Sequence, residues 1–242
     1  MAGNLWWPSC AQAADVTAYA EDSPPYHYLK DGAVTGLATE LLLAGCTKAA
    51  ISCEVVILPW ARAHAFASTR PNTILFSLVR RPDRERDFLW LSPIMTETVW
   101  AFGRVDSPPI THIEDLKRHR TGVINGGSAA RFLRDAGVPE AAMDRANSIE
   151  ANLLKLGAGR IDFIVDTEAR LDAEKAKFNI SFETVKAVRL HEVTTWFAMN
   201  HRSSPELIRA LRTALEDNNN SGVREQILQK YRANAKTRDR GT

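Results

Sequence analysis

Short apolar, β-branched runs alternate along the chain with stretches whose apolar positions recur every three to four residues. Residues 15–19 read as a strand, followed by a polar, proline-bearing turn, Glu21-Asp22-Ser23-Pro24-Pro25. Gly36 opens a helix with Leu37, Leu41, Leu42 and Ala44 on one face. Residues 53–58 form a strand, Pro59 starts a short helix carrying Arg62 and Phe66, and 74–79 return to strand. A charged loop over 80–87 precedes a strand over 98–102.

The second half repeats the alternation. A small helix at 113–118 and a strand at 121–125 lead through Gly126-Gly127-Ser128 into a helix with Phe132 and Leu133. Asn147 and Glu150 have capping-box spacing, and the helix they open ends at Gly157 and Gly159. A buried strand is expected at 161–165, with Asp166 at its carboxyl end, then strands at 185–190 and 194–199. Ser204 and Pro205 start a helix buried through Ile208, Leu211 and Leu215. A last helix carries Val223, Ile227 and Tyr231, and a frayed polar tail is expected from Asn234.

This order predicts an α/β fold with mostly parallel sheets. Ligands of such sheets bind beyond the carboxyl ends of the strands. Glu21, Tyr26, Trp60, Ser77, Arg84, Gly127, Ser128 and Asp166 all fall there.

Composition narrows the class. With 242 residues, 45% of them apolar and 25% charged, the chain is long enough for one large domain or two small ones, and is not collagen, coiled coil or disordered. The net charge of +2 gives no basis for a nucleic-acid or polybasic membrane surface. No run of about 18 apolar residues is present to span a bilayer. Ala11-Gln12-Ala13 matches a signal-peptidase site, so residues 1–13 read as the tail of a signal peptide. Cys10 fits a lipid-anchoring motif poorly beside Trp7 and Pro8. Cys46 and Cys53 lie seven apart around a helix end, and spacing alone leaves a disulfide and two buried thiols equally open.

Each candidate has a functional and a plain reading. Gly126-Gly127-Ser128 at a helix start suits a carboxylate or phosphate, or is an ordinary turn capped by Ser128. It is neither a Walker loop nor Gly-x-Gly-x-x-Gly. Arg84 can grip a carboxylate through two parallel hydrogen bonds, but Arg80, Arg81 and Arg86 are close by and the stretch also reads as a solvated charge run. Asp166 can accept from an ammonium group or cap the next helix. Trp60 and Tyr26 can line a ligand or pack in the core. The six histidines form no metal-binding spacing, and no nucleophile motif is present. Glu21 and Asp166 remain available as an acid–base pair.

Together these segments resemble the type 2 periplasmic solute-binding proteins of ABC transporters, in the polar amino-acid-binding family, over residues 15–232. Pro24-Pro25-Tyr26 with Gly32 and Gly36, Pro82-Asp83-Arg84 followed by Phe88 and Ser92-Pro93, and Gly159-Arg160-Ile161-Asp162 followed by Asp166 carry the likeness, with Gly222 to Tyr231 as the closing helix. The resemblance implies two α/β lobes, 14–99 with 195–233 and 100–194, joined by crossings near 97–103 and 190–196 and hinged about a cleft. It implies that Arg84 clamps a ligand carboxylate, Gly127 and Ser128 contact it from the other lobe, Asp166 takes the α-ammonium, Ser77 adds a polar contact and Trp60 an aromatic wall. It also favours a Cys46–Cys53 disulfide. Arg81, Val79 and Ser23 depart from the family's usual residues, and the extra arginines hint at an acidic ligand. The expected protein is a periplasmic monomer that takes an amino acid or small carboxylate to an ABC permease, needing no metal, cofactor or nucleic acid. A dehydratase acting on cyclic carboxylates and a sensing module for a separate signalling chain are the alternatives.

Overall fold

The computed structural model describes residues 14–238. The signal-peptide tail expected over residues 1–13, with Cys10, lies outside the described residues. The chain order is β1 (Val16–Ala20), β2 (Tyr28–Lys30), β3 (Ala33–Thr35), α1 (Leu37–Lys48), β4 (Cys53–Ile57), α2 (Trp60–Thr69), β5 (Thr73–Val79), β6 (Phe88–Arg104) and β7 (Thr121–Ile124). It continues with α3 (Ser128–Asp135), β8 (Met143–Ala146), α4 (Ile149–Gly157), β9 (Phe163–Thr167), α5 (Glu168–Lys177), β10 (Thr184–Asn200), α6 (Pro205–Asn220) and α7 (Val223–Arg238).

One eight-stranded sheet runs through the molecule in the order β4-β1-β5-β10-β6-β9-β7-β8. Its outer thirds are parallel: β4, β1 and β5 at one end, β9, β7 and β8 at the other. The two central strands are antiparallel to each other and to their outer neighbours. At each end the pairing is parallel, as the alternation predicted, with an antiparallel centre. The reason is the double crossing, since a chain that leaves one end and returns must traverse the middle in both directions.

Each end of the sheet has its own core. Val16, Leu42, Ile74 and Phe76 pack with Phe197 and Leu211 at the first end. Val123, Leu133, Phe163 and Val165 pack at the second, with a further cluster around Leu153, Leu156 and Ile164 beneath α4. At the first end the inward apolar positions of α1 and α6 meet, with Leu215 against Gly45, where an added Cβ would lie 2.6 Å from the Leu215 side chain.

Several boundaries differ from the expectation. The strand expected at 98–102 is the second half of a 17-residue strand, and those at 185–190 and 194–199 are one 17-residue strand, β10. The polar residues between the apolar runs hid this continuity, because the crossing strands meet different surroundings along their length. The hairpin β2–β3 and the short β8 were not foreseen. The residues at 113–118 form 3-10 turns. Helix α4 is capped by Ser148, whose side chain accepts from the Ala151 N–H, not by Asn147. Helix α7 continues past Asn234 to Arg238, where a frayed tail was expected. Cys46 on α1 and Cys53 at the start of β4 form a disulfide.

Candidate functional site

A cavity opens between the two ends of the sheet, floored by β6 and β10. It is lined by all eight residues singled out in the sequence: Glu21, Tyr26, Trp60, Ser77, Arg84, Gly127, Ser128 and Asp166.

Tyr26 is set by the turn after β1. A Cβ on Gly36, whose φ is 122°, would collide with the Tyr26 carbonyl, so only glycine lets the start of α1 come this close. The N–H groups of Leu37 and Ala38 then donate to the carbonyls of Pro25 and Tyr26. Tyr26 is thereby fixed with its hydroxyl donating to Glu97 Oε1. Ser77 has φ 58° at the point where the β5–β10 register gains a residue on β5. This bulge turns its side chain out of the ladder and into the cavity wall.

Arg84 sits in a 3-10 turn, Pro82–Arg84, behind β5 and is 5% exposed. One guanidinium nitrogen, Nη1, donates to the Val79 carbonyl at 2.9 Å, and the guanidinium carbon lies 5.9 Å from the Trp60 ring. No carboxylate among the described residues lies within ion-pair distance of it. Burial, then the neighbouring Arg81, lower its pKa to about 10. Arg80, Arg81 and Arg86 pair instead with Glu85, Asp83 and Asp87, and none lines the cavity. The hint of an acidic ligand drawn from them is therefore removed.

Across the cavity, Gly127 caps α3 and Ser128 is its first residue, so Ser128 is not the cap. The Gly127 N–H is already given to Ile124. The first-turn N–H groups from Ser128 onward have no carbonyl one turn back to receive them and point out of the helix end. Gly126, with φ 70°, passes close to the Trp60 ring, and the Trp60 indole N–H donates to its carbonyl at 3.2 Å.

The acidic side is more elaborate than the sequence suggested. Asp166 lies inside β9, not beyond it, and one oxygen accepts from the Thr167 N–H at 2.7 Å. Its other oxygen lies 3.6 Å from Arg170 of α5, which also donates to Glu21 at 2.9 Å. Burial raises the pKa of Glu21 and Asp166, and Arg170 offsets part of that rise. Burial would depress Arg170, but Glu21 and Asp166 outweigh it and push its pKa up. Arg170, Glu97, His27 and His191 line the cavity and were not anticipated. Arg170 stands four residues after Asp166, a spacing that faces it back once a helix is known to begin at 168. Glu97 shares a strand face with Met95 and Val99, and this two-residue alternation marks an inward acid.

The profile of bacterial extracellular solute-binding proteins, family 3, matches residues 16–234. The chain belongs to this family. A sequence search of curated proteins finds no match. Among solved structures, a histidine kinase sensor domain similar to periplasmic binding proteins superposes with a TM-score of 0.82 at 20% identity, covering 89% of this chain and 94% of that one. The arginine-, lysine-, histidine-binding protein ArtJ from Geobacillus stearothermophilus gives 0.77 at 18%, covering 89% and 94%. A mutant of ArgBP from T. maritima gives 0.78 at 16%, covering 90% and 95%. These likenesses are of fold, and the fold is that of two-lobed binding proteins. The role of the chain is ligand binding, and no described helix is long and apolar enough to cross a membrane.

Proposed function

We propose that the cavity captures a small amino acid or related zwitterion, and that the chain delivers it to an ABC permease at the outer face of the inner membrane. The observation that carries this reading is Arg84, a buried guanidinium with no carboxylate among the described residues within ion-pair distance. A buried cation is costly unless paired, and a ligand carboxylate supplies the missing anion. The α3 terminus faces the same space with unpaired N–H groups and a positive dipole end, and Ser128 and Ser77 add polar contacts. Asp166 then meets the ammonium group, with Trp60 as the apolar wall. The neighbours that bind arginine, lysine and histidine support the amino-acid class. The disulfide fits a periplasmic location.

Thermal-shift screening of amino acids and small carboxylates tests the reading, because a ligand that binds only the native state raises the melting temperature. With a ligand in hand, Arg84→Ala weakens binding by about 1.5–3 kcal/mol, the range for hydrogen bonds to charged groups. Unchanged affinity by calorimetry removes Arg84 from the site. The histidine kinase sensor neighbour supports a second reading, in which the filled cavity signals to a separate partner chain. Loss of uptake of the identified ligand on deletion of the gene distinguishes delivery from sensing. For the acid–base alternative, Glu21 and Asp166 both face Arg170, and turnover of cyclic carboxylates by the purified protein is its test.

A further inference from the structure

The carboxylate clamp leaves a charge unaccounted for in the same cavity. Three carboxylates line it, Glu21, Glu97 and Asp166, against two guanidiniums, Arg84 and Arg170. Burial raises the pKa of all three acids; when ionised they are three negative charges against two positive, one in excess. The other titratable lining groups do not cancel it. Burial, then Glu97, raise the Tyr26 pKa well above its ordinary value, so the phenol is neutral. His27 is buried, and burial lowers its pKa to about 4. Burial also lowers that of His191. The later cations of α5 do not line the cavity: Lys175 donates to Thr184, and Lys177 is 2.6 Å from Asp22.

The excess has an address. Arg170 serves Glu21 and Asp166. Glu97, on the crossing strand β6, receives only the Tyr26 hydroxyl and the Thr167 side chain as neutral donors. Among the described residues no lysine or arginine nitrogen is within ion-pair distance of it. His27, another lining residue, holds a buried acceptor. The Nδ1 of His27 is 2.6 Å from the Glu21 carbonyl oxygen, which can only accept, so Nδ1 carries the hydrogen. Nε2 is then a bare lone pair, buried and without a partner.

We propose that Glu97 is a specificity-determining residue, whose cation-free carboxylate selects ligands bearing a second ammonium or guanidinium group over matched ligands without it. The inference rests on the zwitterion reading above. A neutral zwitterion brings one charge to Arg84 and one to Asp166 and leaves the excess in place. A ligand with one further cation closes the balance, and its N–H donors meet the Glu97 oxygens. A dicarboxylate brings only acceptors to a wall of acceptors.

The test uses matched pairs of increasing length with the intact protein: 2,4-diaminobutyrate against 2-aminobutyrate, L-ornithine against L-norvaline, and L-arginine against L-citrulline. In at least one pair the cationic member binds at least about tenfold more tightly by calorimetry, the lower end expected for a charge-assisted contact. Glu97→Gln brings that ratio towards one while the neutral partner still binds, and Glu97→Asp, which keeps the charge, preserves the preference. Neutral amino acids binding as well as their cationic partners in the wild type overturns the proposal without touching the zwitterion reading, whether or not the glutamine variant folds. A preference that survives Glu97→Gln overturns the assignment to Glu97. Binding of no amino acid or carboxylate at all overturns both.

Discussion

Two buried titratable side chains work against each other as pH changes. Glu174 on α5 is 4% exposed, and burial raises its pKa from 4.5 to about 7, despite Lys177 and Arg170, with Asp22 and Asp166 adding to the rise. The folded state therefore holds a proton there that the unfolded chain has lost, and this group's contribution to stability falls as pH rises from about 4.5 to 7. His27 does the reverse. Its pKa falls from 6.5 to about 4, with burial the main cause and Arg170 adding to it, while the hydrogen bond to the Glu21 carbonyl opposes the fall. The unfolded chain binds the proton first, so stability falls as pH drops from about 6.5 to 4. In the wild type the two slopes largely cancel. Glu174→Gln is expected to gain stability relative to wild type between pH 4.5 and 7, on the order of 3 kcal/mol by pH 8. His27→Gln is expected to gain relative to wild type as pH falls from 6.5 to 4. Urea melts at several pH values check both signs, and parallel curves for variant and wild type contradict them.

At the level of elements, the sequence was most legible where one periodicity ruled a whole segment. The helices α1 and α6 and the parallel strands β1, β4, β5 and β7 follow from apolar spacing, because each buries a single face or both faces against one core. It was least legible along β6 and β10. Their polar positions, such as Thr96, Glu97 and Glu192, fell outside the expected strands although they pair in the long β6–β10 ladder, which carries several register shifts. The site divided in the same way. Arg84, Gly127 and Trp60 were found because they fall at strand ends or helix starts, where ligands gather. Arg170 was missed because Glu168-Ala169-Arg170-Leu171-Asp172 looks like an ordinary solvated helix face, and only the position of Asp166 one turn earlier turns it inward. The disulfide joins α1 to β4 across a short loop. Closing a loop of this length constrains the unfolded chain by about 2–3 kcal/mol in the entropic account. Replacing Cys46 and Cys53 together by alanine is expected to lower unfolding free energy by that amount and leave the cavity's ligand affinity unchanged, which denaturant melts and calorimetry measure.

Across the whole molecule, contacts among the described residues bridge the two ends of the sheet, three of them besides the 3.5 Å approach of Tyr26 to Thr167. The three are Glu21 with Arg170, Asp22 with Lys177, and the Trp60 indole with Gly126. The first is largely shielded, with both side chains 16% exposed. The second has side chains 34% and 41% exposed, so it is a weak tie of a few tenths to about 1 kcal/mol. Lys177→Ala is therefore expected to speed ligand release by a few-fold with little change in the melting temperature of the empty protein. Stopped-flow dissociation reads the first quantity and calorimetric melting the second, and an unaltered release rate shows that the pair does not hold the ends together.

The two crossing strands supply the cavity with Met95, Glu97, Val99, His191, Val193 and Thr195. The fulcrum of the molecule is thus part of the wall that touches the guest. A guest resting on Glu97 bears on the pivot directly, so a misfit there is felt as torque between the halves with no lever in between. Discrimination among guests and the angle at which the halves settle become one mechanical variable.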